Sequence, residues 1–246
     1  MELKKSHINN KLIKNEILSQ HPIINNFLPK TTFLTSSTFQ NFITSYPMVF
    51  CKPCKGVKEK KSFMVQKTKN NFKLQFQYRT ISNLDRRDLW SQIVPFMSKE
   101  PYIIQHGSDT PKVDNNSFII KAIVQRPKSY WKVTGIAVSS STNEKKGYSL
   151  KYVLDKLDIS NDYQISFKKL FTILAINSAN QLYKYFPHIS QLSLDIKLDT
   201  FFAPWIYEVN SLPKIDIFKK IDKDAYKSIV KAQHQIFQSK RRCLSS

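Results

Sequence analysis

Near the start of the chain, apolar side chains recur as two adjacent pairs, Leu12-Ile13 and Ile17-Leu18, four to six positions apart. That spacing gathers them on one side of a helix over residues 10–20. His21-Pro22 closes the helix, because the residue before a proline is pushed out of the helical region. A second helix is predicted from a cap at Ser36 or Ser37 through Ile43, stopped by Tyr46-Pro47. The pattern then changes period. Met48 to Lys52 is a short apolar strand, and Ser62–Lys67 and Phe72–Tyr78 read as a hairpin turning near Asn70-Asn71. In its second arm Phe72, Leu74, Phe76 and Tyr78 alternate with polar residues, as on a half-buried sheet. Asn83 to Met97 is predicted as a helix and Tyr102 to Gln105 as a buried strand.

The second half repeats this mixture. Ser117–Gln125 and Tyr130–Ser139 form an antiparallel pair around Arg126-Pro127. Residues 163–185 make the longest helix, with Phe167, Leu170, Phe171, Leu174 and Leu182 on one stripe. Leu192–Leu198 and Trp205–Val209 are two more strands, joined by Thr200 to Pro204, and a last helix runs from Lys223 to Phe237. The order describes an α+β protein of two lobes with a cleft between them.

Composition narrows the class. A chain of 246 residues with 41% hydrophobic side chains can bury a real core. No apolar run is long enough to cross a bilayer, and MELKKSHINNK has no apolar signal core, so a cytoplasmic location is the expectation. Thirty-nine Lys and Arg against eighteen Asp and Glu leave a net charge of +21, which attracts anions: nucleotide phosphates, an anionic polymer or nucleic acid. The charge is spread along the chain, so nucleic acid is the weakest of these readings. The three cysteines do not form a disulfide framework. Cys51 and Cys54 end a strand rather than opening a helix, and no second ligand pair for zinc exists, so both are read as incidental.

The residues with chemistry cluster late. Asp195, Asp199, Glu208 and Asn210 lie on or beside the final strand pair, and Glu208 and Asn210, two apart on one strand, face the same side. Magnesium takes hard oxygen ligands, commonly one or two carboxylates with substrate phosphate and water. Asp195, Glu208 and Asn210 are therefore the candidate metal ligands. Taken singly, each of these is equally an ordinary surface side chain.

Leu28-Pro29-Lys30-Thr31 after Lys11, Val49-Phe50-Cys51-Lys52-Pro53, Tyr102-Ile103-Ile104-Gln105, Val124-Gln125 with Trp131, Thr134 and Gly135, and Asp195 with Trp205, Glu208 and Asn210 together carry a resemblance. From Lys11 to Phe218 the sequence resembles the YheC/YheD branch of the ATP-grasp superfamily, a family associated with the endospore coat of spore-forming bacteria. The resemblance implies an ATP-grasp fold. It would be one module, with a smaller lobe at about residues 31–105 and a larger lobe at about 1–30 and 106–246. It implies ATP and Mg2+ as cofactors, Lys52 on the phosphates, Tyr102, Ile104 and Gln105 around adenine, Lys11 as a second phosphate contact, and a spore-coat component as partner. Family members also carry a domain ahead of this module, so a substrate-binding lobe is expected to be missing.

The departures from the family pattern fall at the chemistry. Where the family has a glycine-rich lid, this chain has Lys55-Gly56-Val57-Lys58-Glu59-Lys60-Lys61, keeping one glycine. Glycines let a backbone approach phosphate closely. Lys58, Lys60 and Lys61 supply charge without that geometry. The family's F-D-x-R strand becomes Phe118-Ile119-Ile120-Lys121, which leaves Lys121 as the candidate catalytic cation without the guanidinium fork. Val138 stands in place of a later arginine, and Tyr148 in place of an asparagine. The expected protein is an ATP-grasp-like Mg-ATP binder that turns over slowly or not at all. The alternatives are an active ligase with a lysine lid and a basic interaction protein that keeps the fold.

Overall fold

The computed structural model describes residues 4–56, 61–76, 79–97, 99–141 and 146–242. It divides into a smaller unit, Ser6–Glu16 with Leu28–Asp109, and a larger one, Met1–Lys5 with Ile17–Phe27 and Thr110–Ser246.

The smaller unit is built on a six-stranded sheet. Its strands are β1 (Thr31–Phe33), β2 (Met48–Pro53), β3 (Phe63–Lys67), β4 (Phe72–Gln75), β5 (Thr80–Leu84) and β6 (Tyr102–Gly107), in the order β1-β6-β2-β3-β4-β5. The first helix of the chain, α1, covers Lys11–Ser19. Helix α2 (Ser36–Ser45) is capped by Thr35 rather than by Ser36 or Ser37: the Thr35 hydroxyl accepts from Thr38 N–H at 3.1 Å, and Thr35 N–H donates to Thr38 Oγ1 at 2.8 Å. This is a capping box with threonine in the place usually taken by Glu or Gln. The β3–β4 turn forms where Asn70-Asn71 placed it, with Thr68 N–H donating to Asn71 O at 2.8 Å.

The helix expected from Asn83 is a strand followed by a helix. Phe76 N–H donates to Arg79 O, the chain returns as β5, and Asn83 takes a left-handed φ of 60°. Helix α3 then starts at Arg86, where Asp85 Oδ1 accepts from Asp88 N–H at 2.7 Å. Tyr78, expected in the strand, lies outside the described residues. Phe39, Leu74, Leu89, Ile93 and Ile104, none of them measurably exposed, form the centre of this unit's core.

The larger unit carries β7 (Lys112–Val113), β8 (Asn116–Gln125), β9 (Lys132–Ser140), β10 (Gly147–Tyr148), β11 (Gln191–Leu198) and β12 (Pro204–Asn210). The sheet order is β10-β9-β8-β11-β12, and β7 pairs with β8. Asp114 and Asn115 both have positive φ, 50° and 61°, which closes the β7–β8 turn with the twist a tight hairpin prefers. Helices α4 (Leu150–Lys156), α5 (Asn161–Tyr185), α6 (Asp216–Ile221) and α7 (Lys223–Arg242) complete the unit; α4 and α6 were not evident in the sequence. Ser149 caps α4 by accepting from Tyr152 N–H at 3.1 Å. No helix among the described residues is long and apolar enough to cross a membrane.

Helices α6 and α7 pack on the sheet face that carries Ile123 and Ala137. Gly135 makes this approach possible: a Cβ there would lie 2.7 Å from Phe218 Cε1 and 3.0 Å from Ile229 Cδ1. Both of those side chains are fully buried and have nowhere to retreat. Gly135→Ala is therefore expected to cost about 2 kcal/mol by overpacking, read as a lower urea midpoint with unchanged slope. A midpoint equal to wild type would show that Phe218 is not held.

Candidate nucleotide and metal site

The larger unit brings four of the candidate residues together. Asp195 on β11 is the register partner of Lys121 on β8 and of Glu208 on β12. Register partners in an antiparallel sheet point to the same face, roughly 5 Å apart at Cβ. Asn210 lies two residues beyond Glu208, opposite Ser193, and shares that face. Lys121, Asp195 and Glu208 thus form a row across three adjacent strands, with Asn210 beside it. Lys121 Nζ lies 2.9 Å from Asp195 Oδ1, and both side chains are mostly buried.

The turn between β11 and β12 fixes this row. Asp199 Oδ1 accepts from Phe201 and Ala203 N–H, each at 2.9 Å, while Oδ2 accepts from the Trp205 indole N–H at 3.0 Å. Asp199 is thereby occupied in organising a turn, and Trp205 is tied to it. Phe202, with φ of 63°, completes the turn. The register shifts once, between Asp195 and Ile196, which sets Asp195 opposite Glu208.

These residues suit a hard cation. Two carboxylates placed opposite one another repel unless a cation lies between or beside them. Lys121 supplies one such charge, on one oxygen of Asp195. A carboxylate offers two oxygens and several lone pairs, so a metal can share Asp195 with the lysine. Two carboxylates and an amide oxygen fit magnesium, which completes its shell with phosphate and water. Among the described residues no group of three or more His, Cys, Asp or Glu forms an all-protein metal cage.

The smaller unit holds the other five candidates. Lys52 Nζ donates to Gln105 Oε1 at 2.8 Å, and Gln105 Nε2 donates to Thr31 Oγ1 at 3.1 Å, so Lys52 and Gln105 form one polar group across β2, β6 and β1. Tyr102 and Ile104 have their side chains in the core. The Tyr102 hydroxyl donates to Lys61 O at 3.0 Å, and burial, with the Glu100 carboxylate adding to it, pushes this phenol up to about 12. Strand β6 is paired on both sides, by β1 and β2, so the backbone of Tyr102 and Ile104 serves the sheet. Lys11 Nζ donates to Gly56 O at 2.7 Å, and Lys11 N–H donates to Cys54 O at 2.8 Å. Lys61 is ion-paired with Glu100. Lys58, Glu59 and Lys60 lie outside the described residues. Cys51 and Cys54 are free, buried thiols, and burial raises the pKa of each.

The stretch from Val124 to Gly135 has a structural explanation that its residue types alone did not give. Gln125 Oε1 accepts from Thr134 Oγ1 at 2.6 Å, and Gln125 Nε2 donates to Ile229 O at 3.3 Å. Trp131 packs edge-on to Tyr183, whose hydroxyl accepts from Arg126 at 3.0 Å. Val138 is fully buried in the sheet.

Two units, each mixing helices with an antiparallel sheet, are the architecture expected of the ATP-grasp class. Solved structures agree on the fold. D-cycloserine synthetase DcsG matches with a TM-score of 0.53 at 9% identity over 93% of this chain and 71% of its own. ATP-grasp ligase PsnB, complexed with a phosphomimetic variant of minimal precursor, Mg and ADP, matches with a TM-score of 0.52 at 11% identity over 94% of this chain and 60% of its own. An L-amino acid ligase from Bacillus licheniformis matches with a TM-score of 0.50 at 14% identity over 86% of this chain, and the chain spans 43% of that ligase. At such identities the likeness is one of fold. No curated protein matches the sequence. The chain belongs to the YheC/D-like ATP-grasp family, whose family model matches residues 2–237.

Proposed function

We propose that the chain binds magnesium–ATP and uses it, slowly, to join a carboxylate to an amine. The observation that carries this reading is the row of Lys121, Asp195 and Glu208 across three strands with Asn210 beside it. In the reaction a substrate carboxylate oxygen attacks the γ-phosphorus and ADP leaves. An amine then attacks the acyl carbon, phosphate leaves, and the amine proton passes to solvent. Asp195, Glu208 and Asn210 would hold the magnesium, which when bound neutralises charge between the phosphates. Lys52, whose ammonium donates to Gln105, would hold phosphate oxygen as a compact point charge. Lys121 both balances Asp195 and offers its ammonium to developing negative charge.

The slow rate is read from sequence alone: between Lys55 and Lys61 Gly56 is the one glycine, where the family resemblance expects a glycine-rich lid. Association with the spore coat, as the family resemblance implies, belongs to the same proposal. A second reading, a basic non-catalytic protein that binds an anionic partner, is favoured by the net charge of +21.

A coupled ADP-release assay with mixed amino acids as carboxylate and amine donors separates the two. Release above background is expected only when both donor types are present, and Lys52→Met should lower it about a hundredfold. ADP release equal in wild type and Lys52→Met would remove the ligase reading and leave the interaction protein.

A further inference from the structure

Strand β10 covers only Val138 and Ser139 of β9. From Lys132 to Ala137, β9 is paired with β8 on one side, with one register shift that skips Thr134, and among the described residues no strand pairs its other edge. A groove of about 870 Å³ lies along this open edge. Its floor includes Thr134 and Ile136 of β9, and its walls include Ile165 and Thr172 of α5, Leu154 of α4 and Ala225 of α7. Trp131 also lines it; this residue is 6% exposed, and its indole N–H has no hydrogen-bond partner. A buried N–H without a partner is costly, and a ligand carbonyl would satisfy it.

The charge on the groove is one-sided. Lys132, Lys151 and Lys168 line it, against the single acid Asp222. Asp222 already caps α7, with Oδ1 accepting from Ala225 N–H at 2.9 Å, and Lys151 is paired with Asp155 outside the lining. Lys132 and Lys168 therefore dominate the field in the groove. Ile165 is half-exposed at its rim, an apolar contact waiting beside the two cations.

An open strand edge presents a row of donors and acceptors that natural sheets cover, charge or pair. Here no strand among the described residues pairs with the edge, and it is flanked by apolar walls and lysines. We propose that this groove takes an extended acidic peptide as an added strand on β9, its carboxylates reaching Lys132 and Lys168 and its alternate side chains packing on Ile136 and Ile165. The five residues Lys132–Ile136 span about 16 Å of strand, enough for a short linear segment. None of Lys121, Asp195, Glu208 and Asn210 lines the groove, so the proposal stands apart from the nucleotide reading.

The test is to pan a random-peptide phage library over the full chain, with the Lys132→Glu/Lys168→Glu variant as the counter-selecting surface. Sequences alternating apolar and acidic residues are expected to be enriched. A synthetic peptide made from them should bind wild type about tenfold more tightly than the variant and shift the backbone amide signals of Lys132–Ile136. No enrichment, enrichment without acidic residues, or equal binding to the variant would overturn the proposal. So would displacement of the peptide by citrate at similar concentration, which would mark a small-anion site, or a concentration-dependent dimer disrupted by Ile136→Pro, which would make the occupant a second copy. If circular dichroism shows the double variant unfolded, Lys168→Gln, on the exposed face of α5, replaces it with the same expected direction.

Discussion

Replacing Asp195 with alanine is expected to cost the larger unit about 3 kcal/mol, because it leaves the Lys121 ammonium mostly buried without its partner. The two side chains are only 14% and 13% exposed, so solvent screens little of the loss. The same principle predicts a rescue. Lys121→Met with Asp195→Leu removes both charges together, and exchanging a buried pair for apolar side chains of similar volume is commonly neutral or stabilising. The double variant should recover most of the stability lost by the single one while losing nucleotide binding. That separates a structural ion pair from a functional one. Urea unfolding followed by Trp131 and Trp205 fluorescence in a Trp90→Phe background reads the larger unit, since both tryptophans belong to it. A cost below about 0.5 kcal/mol for Asp195→Ala would mean that the pair contributes no more than a surface bridge.

Magnesium–ATP at a hundred times its Kd should stabilise the chain by about 2.7 kcal/mol. For a protein of this size each kcal/mol moves the melting temperature by roughly 2 to 4 °C, so the shift is large enough to read directly. Glu208→Gln with Asn210→Ala should abolish most of it. Neither side chain is fully buried, so the apo stability of this variant should stay within about 1 kcal/mol of wild type. ATP with EDTA should stabilise less than ATP with magnesium, because the phosphates would then meet Asp195 and Glu208 without a bridging cation. Absence of any nucleotide-dependent shift in wild type would sink the magnesium–ATP reading outright. A shift of full size in the Glu208→Gln/Asn210→Ala variant would move the metal elsewhere.

Much of the fold was legible because its long elements have strong periods. The stripe from Phe167 to Leu182 gave α5 to within two residues at its start, and the alternation after Phe72 gave β4. Short elements were harder to read. β1 is three residues long, and its pairing to β6 comes from a partner about seventy positions away, which no local pattern reports. The last two residues of β5, Asn83 and Leu84, read as the start of a helix because they precede a helical stretch. The left-handed Asn83 and the Asp85 cap show that the boundary is set by turn chemistry rather than by hydrophobic period. The C-terminal helix was placed but ended five residues early, since its basic last turn carries no apolar signal.

The acidic row was legible in type but not in geometry. Sequence spacing put Glu208 and Asn210 on one face, yet the registers of Asp195 with Glu208 and of Asp195 with Lys121 depend on a bulge and on the Asp199 turn. In the other unit, nothing local indicated that Lys52 would be bound to Gln105, or that Lys11 would close on Gly56. Those contacts join residues more than forty positions apart, and only the folded sheet brings them together.

The packing of α6 and α7 against Ile123, Gly135 and Ala137 has a consequence for the order in which the chain matures on the ribosome. Every residue of the smaller unit is translated by Asp109, so its core can close while the rest is still being made. The larger unit cannot do this. Gln125 waits for the Ile229 carbonyl, and the flat surface left by Gly135 waits for Phe218. Its strands emerge long before the helix that seals them, and during that interval β8 and β9 present an uncovered apolar face to nascent-chain chaperones.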